Sequence, residues 1–540
     1  MAAAGKQPEL VEAMLERGFY PHAPPSVELR DTHISWVFLA GELAYKVKKP
    51  VTFPFLDYGS LERRHEMCRE EVCLNRRLAP EIYLRVVAIG RGGDRYSLTS
   101  EDDPAAIEFA VEMRRVEEGR SLASLAVGGQ LTIAEVERVA RRLAHFHDEA
   151  PIAPPERRRV DVLVGTLEEN LATLREAGAG VVAPRRVDVA DGFTHGFLTA
   201  RRDEIEARAR AGLVRDCHGD LRAEHVIVPK RDEVYVYDCV EFDPALRQID
   251  VASDLAFLVM DLSHLGAEEL SLSLVEAYRR AGGDPGDDGL LSFFASYRAW
   301  VRAKIACLRA LELAEADPER HRQHAEADEF LRLGHRFAWR SRRPLVLVLC
   351  GVAGSGKTTL AGELAALSGF RHVSSDVIRK RLAGIAITER GGAELYSPES
   401  TMRTYLAMGE AAREEVQRRG GVIVDATFHR RSERGAFRRG LGDDSARVLF
   451  IECRASPEVL LARVRERERE RGRVSDADAG VLQRQLAKLE PLDEVAEDAR
   501  TELLTEAPPE ELMCQIEEFA DGAVWGGNGR QDSVRPRAAG

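Results

Sequence analysis

The stretch LVLVLCGVAGSGKTTL, residues 345–360, decides the fold of the C-terminal half of the chain. Its first five residues have the length and composition of a buried β-strand. The strand leads into a loop with the pattern G-x-x-x-x-G-K-[ST], and a helical pattern follows. Glycines let the main chain curl so that successive N–H groups face one anion, which the positive end of the next helix also attracts. The stretch therefore predicts a phosphate-binding loop, because a glycine-rich turn without a ligand would not need this strand–loop–helix context.

Each residue type in this loop suits one part of a nucleotide. Lys357 is placed to reach the β- and γ-phosphates, and Thr358 to bind Mg²⁺. We expect further nucleotide contacts from Gly351, Gly354, Ser355, Gly356 and Thr359. ATP and Mg²⁺ are the ligands that these residues predict.

Strands and helices alternate after the loop, which is typical of a parallel sheet with helices on both faces. Asp425 ends the apolar run VIVD, and the carboxylate that helps to hold Mg²⁺ belongs at that position in such sheets. Asp376 and Arg379 follow the neighbouring strand and lie one helical turn apart. We expect Asp376 to accept the proton of an acceptor hydroxyl and Arg379 to face the same cleft.

An arginine-rich segment, LARVRERERERGRVSDADAGV, covers residues 461–481. Arg467, together with Arg463 and Arg473, is a candidate for a lid that neutralises a transferring phosphoryl group. Alternating Arg and Glu is also typical of an exposed helix laced with salt bridges. For any single arginine the exposed helix is the preferred interpretation, but we expect at least one to act as a lid.

A second informative stretch, residues 217–243, interrupts a long helical region. It contains HGDLRAEH (218–225) and YVYDCVEFD (235–243), and AYKVK (44–48) and REEVCLNRRL (69–78) lie upstream. These motifs, spread over roughly residues 30–310, resemble the aminoglycoside phosphotransferase family, whose fold is that of the protein kinases.

The resemblance implies a role for four residues. Lys46 would hold the α- and β-phosphates, Glu71 would position Lys46, Asp220 would accept the acceptor proton, and Asp238 would bind Mg²⁺. Lys48 lies on the same face of its strand as Lys46, and the AYK context favours Lys46.

Two features depart from the family pattern. His225 stands where the family has a metal-binding Asn, and imidazole is a poor ligand for Mg²⁺. His225 stays a candidate ligand, with Glu224 or a single metal ion as alternatives. The glycine-rich flap is missing, because only Gly41 lies between the first two strands.

The C-terminal half, about residues 344–500, resembles small P-loop kinases related to polynucleotide kinase, zeta toxins and chloramphenicol phosphotransferase. The motifs GVAGSGKTT, SSDVIRKRL and VIVDATF carry this resemblance. The order of the two halves is similar to an uncharacterised bacterial family that pairs an aminoglycoside-phosphotransferase-like domain with a P-loop kinase-like domain.

The predicted fold class is therefore mixed α/β and α+β. We expect a protein-kinase-like two-lobe fold over residues 1–338, with a small lobe at about 25–118 and a helical lobe at 119–338. A basic joint at 336–343 leads into a P-loop domain at 339–522, with a parallel sheet between two helical layers. Residues 523–540 lack periodicity and are predicted to be disordered.

Composition restricts the partners. The 540 residues carry a formal net charge of −13, which disfavours nucleic acid, and no apolar run is long enough to span a membrane. Eight scattered cysteines, without a C-x-x-C pair, favour a reducing, cytoplasmic location. We expect a small hydroxylated acceptor; the sequence predicts no oligomeric state.

The predicted function is a tandem ATP-dependent phosphotransferase acting on an alcohol group, with two nucleotide sites. The alternative is a nucleotide-sensing switch whose N-terminal kinase fold is weak or dead. In that case the P-loop half would act as an ATPase or a nucleic-acid end kinase.

Overall fold

The computed structural model describes residues 8–53, 56–93, 95–229, 233–389, 392–443, 446–468 and 478–526. Contacts divide the chain into two compact units. The N-terminal unit comprises Met1–Val162 and Glu204–Gly286, and the C-terminal unit comprises Leu163–Asp203 and Asp287–Gly540.

The first elements of the N-terminal unit form an antiparallel sheet, two helices and a separate short strand pair. They are α1 (Pro8–Leu15), β1 (Val27–Asp31), β2 (Ser35–Ala40), β3 (Leu43–Lys48), β4 (Thr52–Phe53), β5 (Leu56–Asp57), α2 (Leu61–Asn75), β6 (Tyr83–Gly92), β7 (Arg95–Thr99) and β8 (Ala106–Arg114). Six strands pair antiparallel in the order β1-β2-β3-β8-β6-β7, and β4–β5 is the separate pair.

Alternation along β3 assigns its side chains to opposite faces of this sheet. Tyr45 and Val47 pack with α1, whereas Ala44 packs with the buried face of α2. Lys46 and Lys48 share the face of Ala44, so both lysines point towards α2.

The middle of the chain is mainly helical. Its elements are α3 (Leu122–Val127), α4 (Ile133–Glu149), α5 (Val160–Ala177), α6 (Pro184–Ala200), α7 (Arg202–Arg210), β9 (Val214–Asp216), β10 (Val226–Ile227), β11 (Tyr235–Val236), α8 (Pro244–Arg247), β12 (Gln248–Asp250), α9 (Val251–His264) and α10 (Glu268–Arg280). The short antiparallel pair β10–β11 lies within the predicted interruption at residues 217–243, and the pair β12–β9 flanks it on both sides.

The remaining elements belong to the C-terminal unit. They are α11 (Asp288–Glu312), α12 (Pro318–Ser341), β13 (Leu345–Cys350), α13 (Lys357–Ser368), β14 (Arg371–Ser374), α14 (Ser375–Leu382), α15 (Pro398–Arg419), β15 (Gly421–Asp425), α16 (Arg431–Leu441), β16 (Arg447–Arg454), α17 (Pro457–Glu468), α18 (Ala479–Leu486), β17 (Arg500–Leu504) and α19 (Pro509–Trp525). Five strands form a parallel sheet in the order β14-β15-β13-β16-β17.

The central strand β13 is buried on both faces, as its continuous apolar run predicts. Leu345, Leu347 and Leu349 pack against α12, α13 and α19. Val346 and Val348 pack against α15 and α16 on the other face.

The predicted fold class is confirmed: the N-terminal unit is α+β, and the C-terminal unit is a parallel sheet between two helical layers. Among the helices that the structure describes, none is long and apolar enough to cross a lipid bilayer.

The compact units do not follow the predicted limits at residues 338 and 339. Most of α5 and all of α6, α11 and α12 belong to the C-terminal unit, because α6 packs on α19 and α12 packs on α13. The domain limits 1–338 and 339–522 stay a prediction.

Two smaller expectations were wrong. The basic stretch 336–343 is not a polar joint, because α12 continues to Ser341 and the guanidinium of Arg342 is buried against Asp521, with two contacts of 2.8 Å. Residues 523–525 end α19 and are helical. The rest of the predicted disordered tail, residues 527–540, lies outside the described residues.

A buried arginine fixes the chain between α18 and β17. Arg434 Nη1 donates to Phe428 O at 2.8 Å, and Nη2 donates to Pro491 O at 2.9 Å and to Glu494 Oε2 at 3.1 Å. The Arg434 hydrogen bond lowers the pKa of Glu494 to about 2. The charged carboxylate is therefore much favoured in the folded state.

We expect Glu494→Gln to lower the unfolding temperature of the C-terminal unit at pH 7 by about 3–10 °C, since a hydrogen bond between charged groups is lost. A depressed folded-state pKa stabilises above the unfolded value of about 4.3. The difference from the unaltered protein should therefore shrink as the pH falls from about 4.3 towards the folded pKa of about 2. Calorimetry over this pH range measures it; exposed Glu497→Gln is the control, and a pH-independent difference would contradict the prediction.

Candidate functional sites

The phosphate loop adopts the strand–loop–helix geometry that its sequence predicts. Gly354 and Gly356 have φ values of +79° and +83°, in the left-handed region that favours glycine. A Cβ atom at Gly354 would also lie 2.7 Å from the carbonyl oxygen of Leu460. Thr358 and Thr359 are exposed in the first turn of α13, where a phosphate could reach the free N–H groups.

Residues far along the chain hold this loop from outside. Arg463 Nη1 donates to Thr505 Oγ1 at 3.0 Å, and Nη2 donates to Thr505 O at 2.8 Å. The N–H of Ala353 donates to Gln485 Oε1 at 2.7 Å. Arg463 thus binds Thr505, the residue directly after β17, and does not extend as a lid. Sequence reasoning missed Thr505 and Gln485.

The other predicted lid residues are not placed. The backbone of Arg467 belongs to α17, but its side chain lies outside the described residues, as does Arg473. Their lid role stays a prediction.

Asp425 lies at the carboxyl end of β15, paired in register with Leu349 of β13. It is buried, and His372 Nε2 lies 3.4 Å from its Oδ2. Burial raises the pKa of Asp425, but His372 and the charge of Lys357 outweigh this effect, so its pKa is lower than usual. Its Oδ1 atom is buried without a hydrogen-bond partner among the described residues. A hydrogen bond from the Thr358 hydroxyl also lowers the pKa of Asp425. A charged carboxylate oxygen of this kind, close to a hydroxyl group, fits Mg²⁺.

The predicted acceptor residues lie together in α14. Arg379 Nη1 lies 3.0 Å from Asp376 Oδ1, and its guanidinium lies 4.9 Å from the centre of the Tyr396 ring. Arg379 is mostly buried, so this cation is held in place rather than free in solvent. The lysine of the loop, Lys357, directs its Nζ back to Val352 O at 3.4 Å.

The N-terminal unit joins residues from three separate elements. Lys46 Nζ, on β3, lies 2.8 Å from Glu71 Oε1 on α2 and 2.7 Å from Asp238 Oδ1 after β11. Asp238 has a φ of +65°, unusual for a residue with a side chain, and its N–H donates to Tyr83 OH at 3.2 Å. Such strain is found at sites where the chain must aim one side chain.

Lys48 contacts the same carboxylate as Lys46. Its Nζ lies 2.7 Å from Glu71 Oε2, and it also donates to Glu241 and, at 3.3 Å, to Tyr58 OH. The Lys48 side chain is completely buried, whereas that of Lys46 is 14% exposed. Because Lys46 is the lysine that reaches Asp238 and solvent, the geometry supports Lys46 as the nucleotide lysine.

Lys46 and Asp238 each keep the other in its charged form. Burial lowers the pKa of Lys46, but the carboxylates of Asp238 and Glu71 raise it well above the ordinary value. Burial would raise the pKa of Asp238, but the charge and hydrogen bond of Lys46 bring it far below its usual range. The site is therefore a network of ion pairs at neutral pH.

Asp254, on α9, holds the loop that carries Asp220. The N–H groups of His218 and Gly219 donate to the two oxygens of Asp254 at 3.1 and 2.8 Å. Asp254 also lies 3.1 Å from Nε2 of the buried His147. Through these contacts Asp254 has a structural role in holding the loop.

Arg222 was missed by sequence reasoning and organises this loop. Its Nε lies 3.0 and 3.1 Å from the two oxygens of Asp220, and its Nη2 lies 3.1 Å from His225 Nε2. A guanidinium only donates, so His225 Nε2 accepts and Nδ1 carries the proton that is donated to Asp220 O at 2.9 Å. Burial raises the pKa of Asp220, but the charge and hydrogen bond of Arg222 lower it more. His225 Nε2 lies 3.6 Å from Asp238 Oδ2 and is engaged by a cation, so its metal role stays a prediction.

The parallel sheet, its phosphate loop and Asp425 define a P-loop domain. Residues 346–492 match the model of a family described as an AAA domain.

The chain is 31% identical over 451 residues to uncharacterized proteins of Mycobacterium tuberculosis and Mycobacterium bovis. The match covers 82% of this chain and 86% of each relative. The chain therefore belongs to the family of these mycobacterial proteins. Over 84 residues, 15% of this chain, it is 36% identical to 46% of a cytidylate kinase from Ignicoccus hospitalis.

Two solved structures represent the two kinds of similarity. A Ralstonia eutropha protein assigned as an aminoglycoside phosphotransferase is 14% identical, with a TM-score of 0.35, and the match covers 62% of this chain and 98% of that one. A sugar kinase from Janibacter is 24% identical, with a TM-score of 0.25, over 33% of this chain and 94% of that one. Neither TM-score reaches 0.5, and the fold described above rests on the chain's own contacts.

We expect Gln485→Ala to weaken MgATP binding at the phosphate loop about 2- to 10-fold, because the Ala353 N–H loses its acceptor and the loop loses a support. Isothermal titration with MgATP measures the change. Exposed Gln483→Ala, two residues away on the same helix, is the matched control. Equal affinities of the two variants would contradict a supporting role for Gln485.

Proposed function

We propose that this protein is a tandem ATP-dependent phosphotransferase. Each half would transfer the terminal phosphoryl group of ATP to a hydroxyl of a small molecule. One observation carries the proposal: in each unit, separate elements bring a lysine and a carboxylate suited to Mg²⁺ to one place. In the N-terminal unit these are Lys46 and Asp238, 2.7 Å apart, and in the C-terminal unit Lys357 and Asp425.

In the N-terminal unit, Lys46 would bind the α- and β-phosphates while Glu71 holds its ammonium group. Asp238 would hold Mg²⁺, which neutralises phosphate charge when bound. Asp220 would accept the proton of the acceptor hydroxyl. The low pKa of Asp220 keeps it ionised, and the Arg222 cation beside it would attract the charge of the transferring group.

In the C-terminal unit, the loop N–H groups and Lys357 would bind the β- and γ-phosphates. Thr358 and Asp425 would hold Mg²⁺. Asp376 would accept the acceptor proton, with Arg379 fixed 3.0 Å away to bind the acceptor or the transferring group. Arg467 remains the candidate for a lid. Phosphoryl transfer depends mostly on positioning and charge, which these groups supply.

One observation favours a second function, a nucleotide-sensing switch. His225 replaces the metal-binding Asn, and its Nε2 is engaged by Arg222 at 3.1 Å. In that function the N-terminal unit would bind MgATP without transfer. The P-loop half would then act as an ATPase or as a nucleic-acid end kinase.

We expect the full-length protein to release ADP in response to small hydroxylated acceptors. Two sets of acceptors should be distinguishable, one lost in Asp220→Ala and the other in Lys357→Ala. Each loss should be about 10²- to 10⁴-fold, the usual contribution of a general base or of charge stabilisation. Coupled ADP assays over a library of sugars, nucleosides and antibiotics measure these losses, with exposed Lys488→Ala as the control.

Three outcomes separate the functions. Acceptor-dependent ADP release that neither variant changes would contradict both assigned sites. MgATP binding at the N-terminal site without any transfer would favour the switch. Activity that depends on nucleic-acid ends, with an affinity that falls steeply with salt, would favour the end kinase.

A further inference from the structure

We propose that Lys48 and Glu241 are positioning residues that hold Glu71 in place for Lys46. The proposal rests on the function proposed for the N-terminal site and goes beyond the residues assigned to it. Lys48 and Glu241 would act through Glu71, without touching the nucleotide.

Glu71 is shared between two lysines. Its Oε1 lies 2.8 Å from Lys46 Nζ, and its Oε2 lies 2.7 Å from Lys48 Nζ. The two lysines lie two residues apart on β3, so they leave the strand on the same face and meet α2 side by side. Each oxygen of one carboxylate therefore has its own cation.

Lys48 is in turn fixed from the opposite side. It donates to Glu241, and Tyr58 OH donates to Glu241 Oε1 at 2.7 Å. The side chain of Lys48 is completely buried and that of Glu241 is 5% exposed, so solvent hardly competes for these bonds. Glu241 also lies three residues after Asp238, so the same bond ties the chain that carries the metal carboxylate to β3.

This arrangement has a mechanistic consequence. When Lys46 binds phosphates, its ammonium group is shared between them and Glu71. A carboxylate held by Lys46 alone could then move with its helix. The bond between Lys48 and Glu71 remains, because Lys48 is buried away from the nucleotide, and it keeps Glu71 at the distance that Lys46 needs.

Stability alone does not account for these charges. Buried ion pairs contribute little net stability, and well-packed apolar residues often replace them without loss. Lys48, Glu71 and Glu241 are all buried. Apolar side chains at Lys48 and Glu241 could fill the same core, but they could not hold the second oxygen of Glu71.

The test uses the full-length chain with Lys357→Ala, which removes the P-loop site, and a fluorescent ATP analogue (mant-ATP) with Mg²⁺. We expect Lys48→Met to weaken binding by about 10- to 100-fold, the range found for residues that orient a ligand-binding group. Lys46→Met should weaken binding too, and adding Lys48→Met to it should change the affinity by less than about 2-fold, because both act through one contact. Lys49→Met, at a neighbouring lysine that pairs with Asp31, is the control and should bind as the parent does.

Glu241→Gln is the second variant, for use if Lys48→Met does not fold. It keeps the shape of the side chain and removes its charge, so its effect should have the same direction and the same dependence on Lys46. A purely structural role predicts additive effects of Lys46→Met and Lys48→Met. Additive effects, or unchanged affinity in folded Lys48→Met, would overturn the positioning role while the nucleotide site stands. A parent that binds no mant-ATP would overturn the N-terminal nucleotide site itself, and the positioning role with it.

Discussion

A charge that is removed from water must be paired, and this constraint arranges both candidate sites. In the N-terminal unit, Lys46 can lie in a mostly buried position because Glu71 and Asp238 each lie within 2.8 Å. In the C-terminal unit, Asp425 is buried beside His372, 3.4 Å away, and the charge of Lys357 lowers its pKa. Isolated charges in such places would be neutralised by a shift in pKa. The pairs therefore keep the groups in the ionised forms that binding of a triphosphate requires.

The two units meet this constraint with different folds. In the N-terminal unit the charges come from an antiparallel sheet, a helix and a loop, and only tertiary packing brings them together. In the C-terminal unit the carboxyl ends of parallel strands lie at one edge of the sheet, so the phosphate loop after β13 and Asp425 at the end of β15 become neighbours automatically. Ionised groups fixed in advance need little reorganisation when charge develops on a transferring group.

The sequence predicts features that a local pattern encodes. The apolar run of β13, the glycines of the loop and the first turn of α13 lie within sixteen consecutive residues, and the structure follows them closely. The pairing of Lys46 with Glu71 and Asp238 could be anticipated only through motifs shared with a known family. Strand alternation placed Lys46 and Lys48 on one face but could not show that both meet Glu71. Gln485 and Glu241 were missed because their bonds to Ala353 and Lys48 join residues 132 and 193 positions apart, which no periodicity records. The contact of Arg463 with Thr505 could not be foreseen, because a helix of alternating charges does not reveal which arginine turns inward.

The path of the chain between the two compact units has a consequence for the history of the gene. The segment Leu163–Asp203 packs with the C-terminal unit although it lies between two segments of the N-terminal unit. A gene broken near codon 339 would cut α12 and separate the buried His335 from Glu517 of α19. Fission at this point would therefore expose apolar surface that the intact C-terminal unit buries, which disfavours inheritance of the two halves as separate genes.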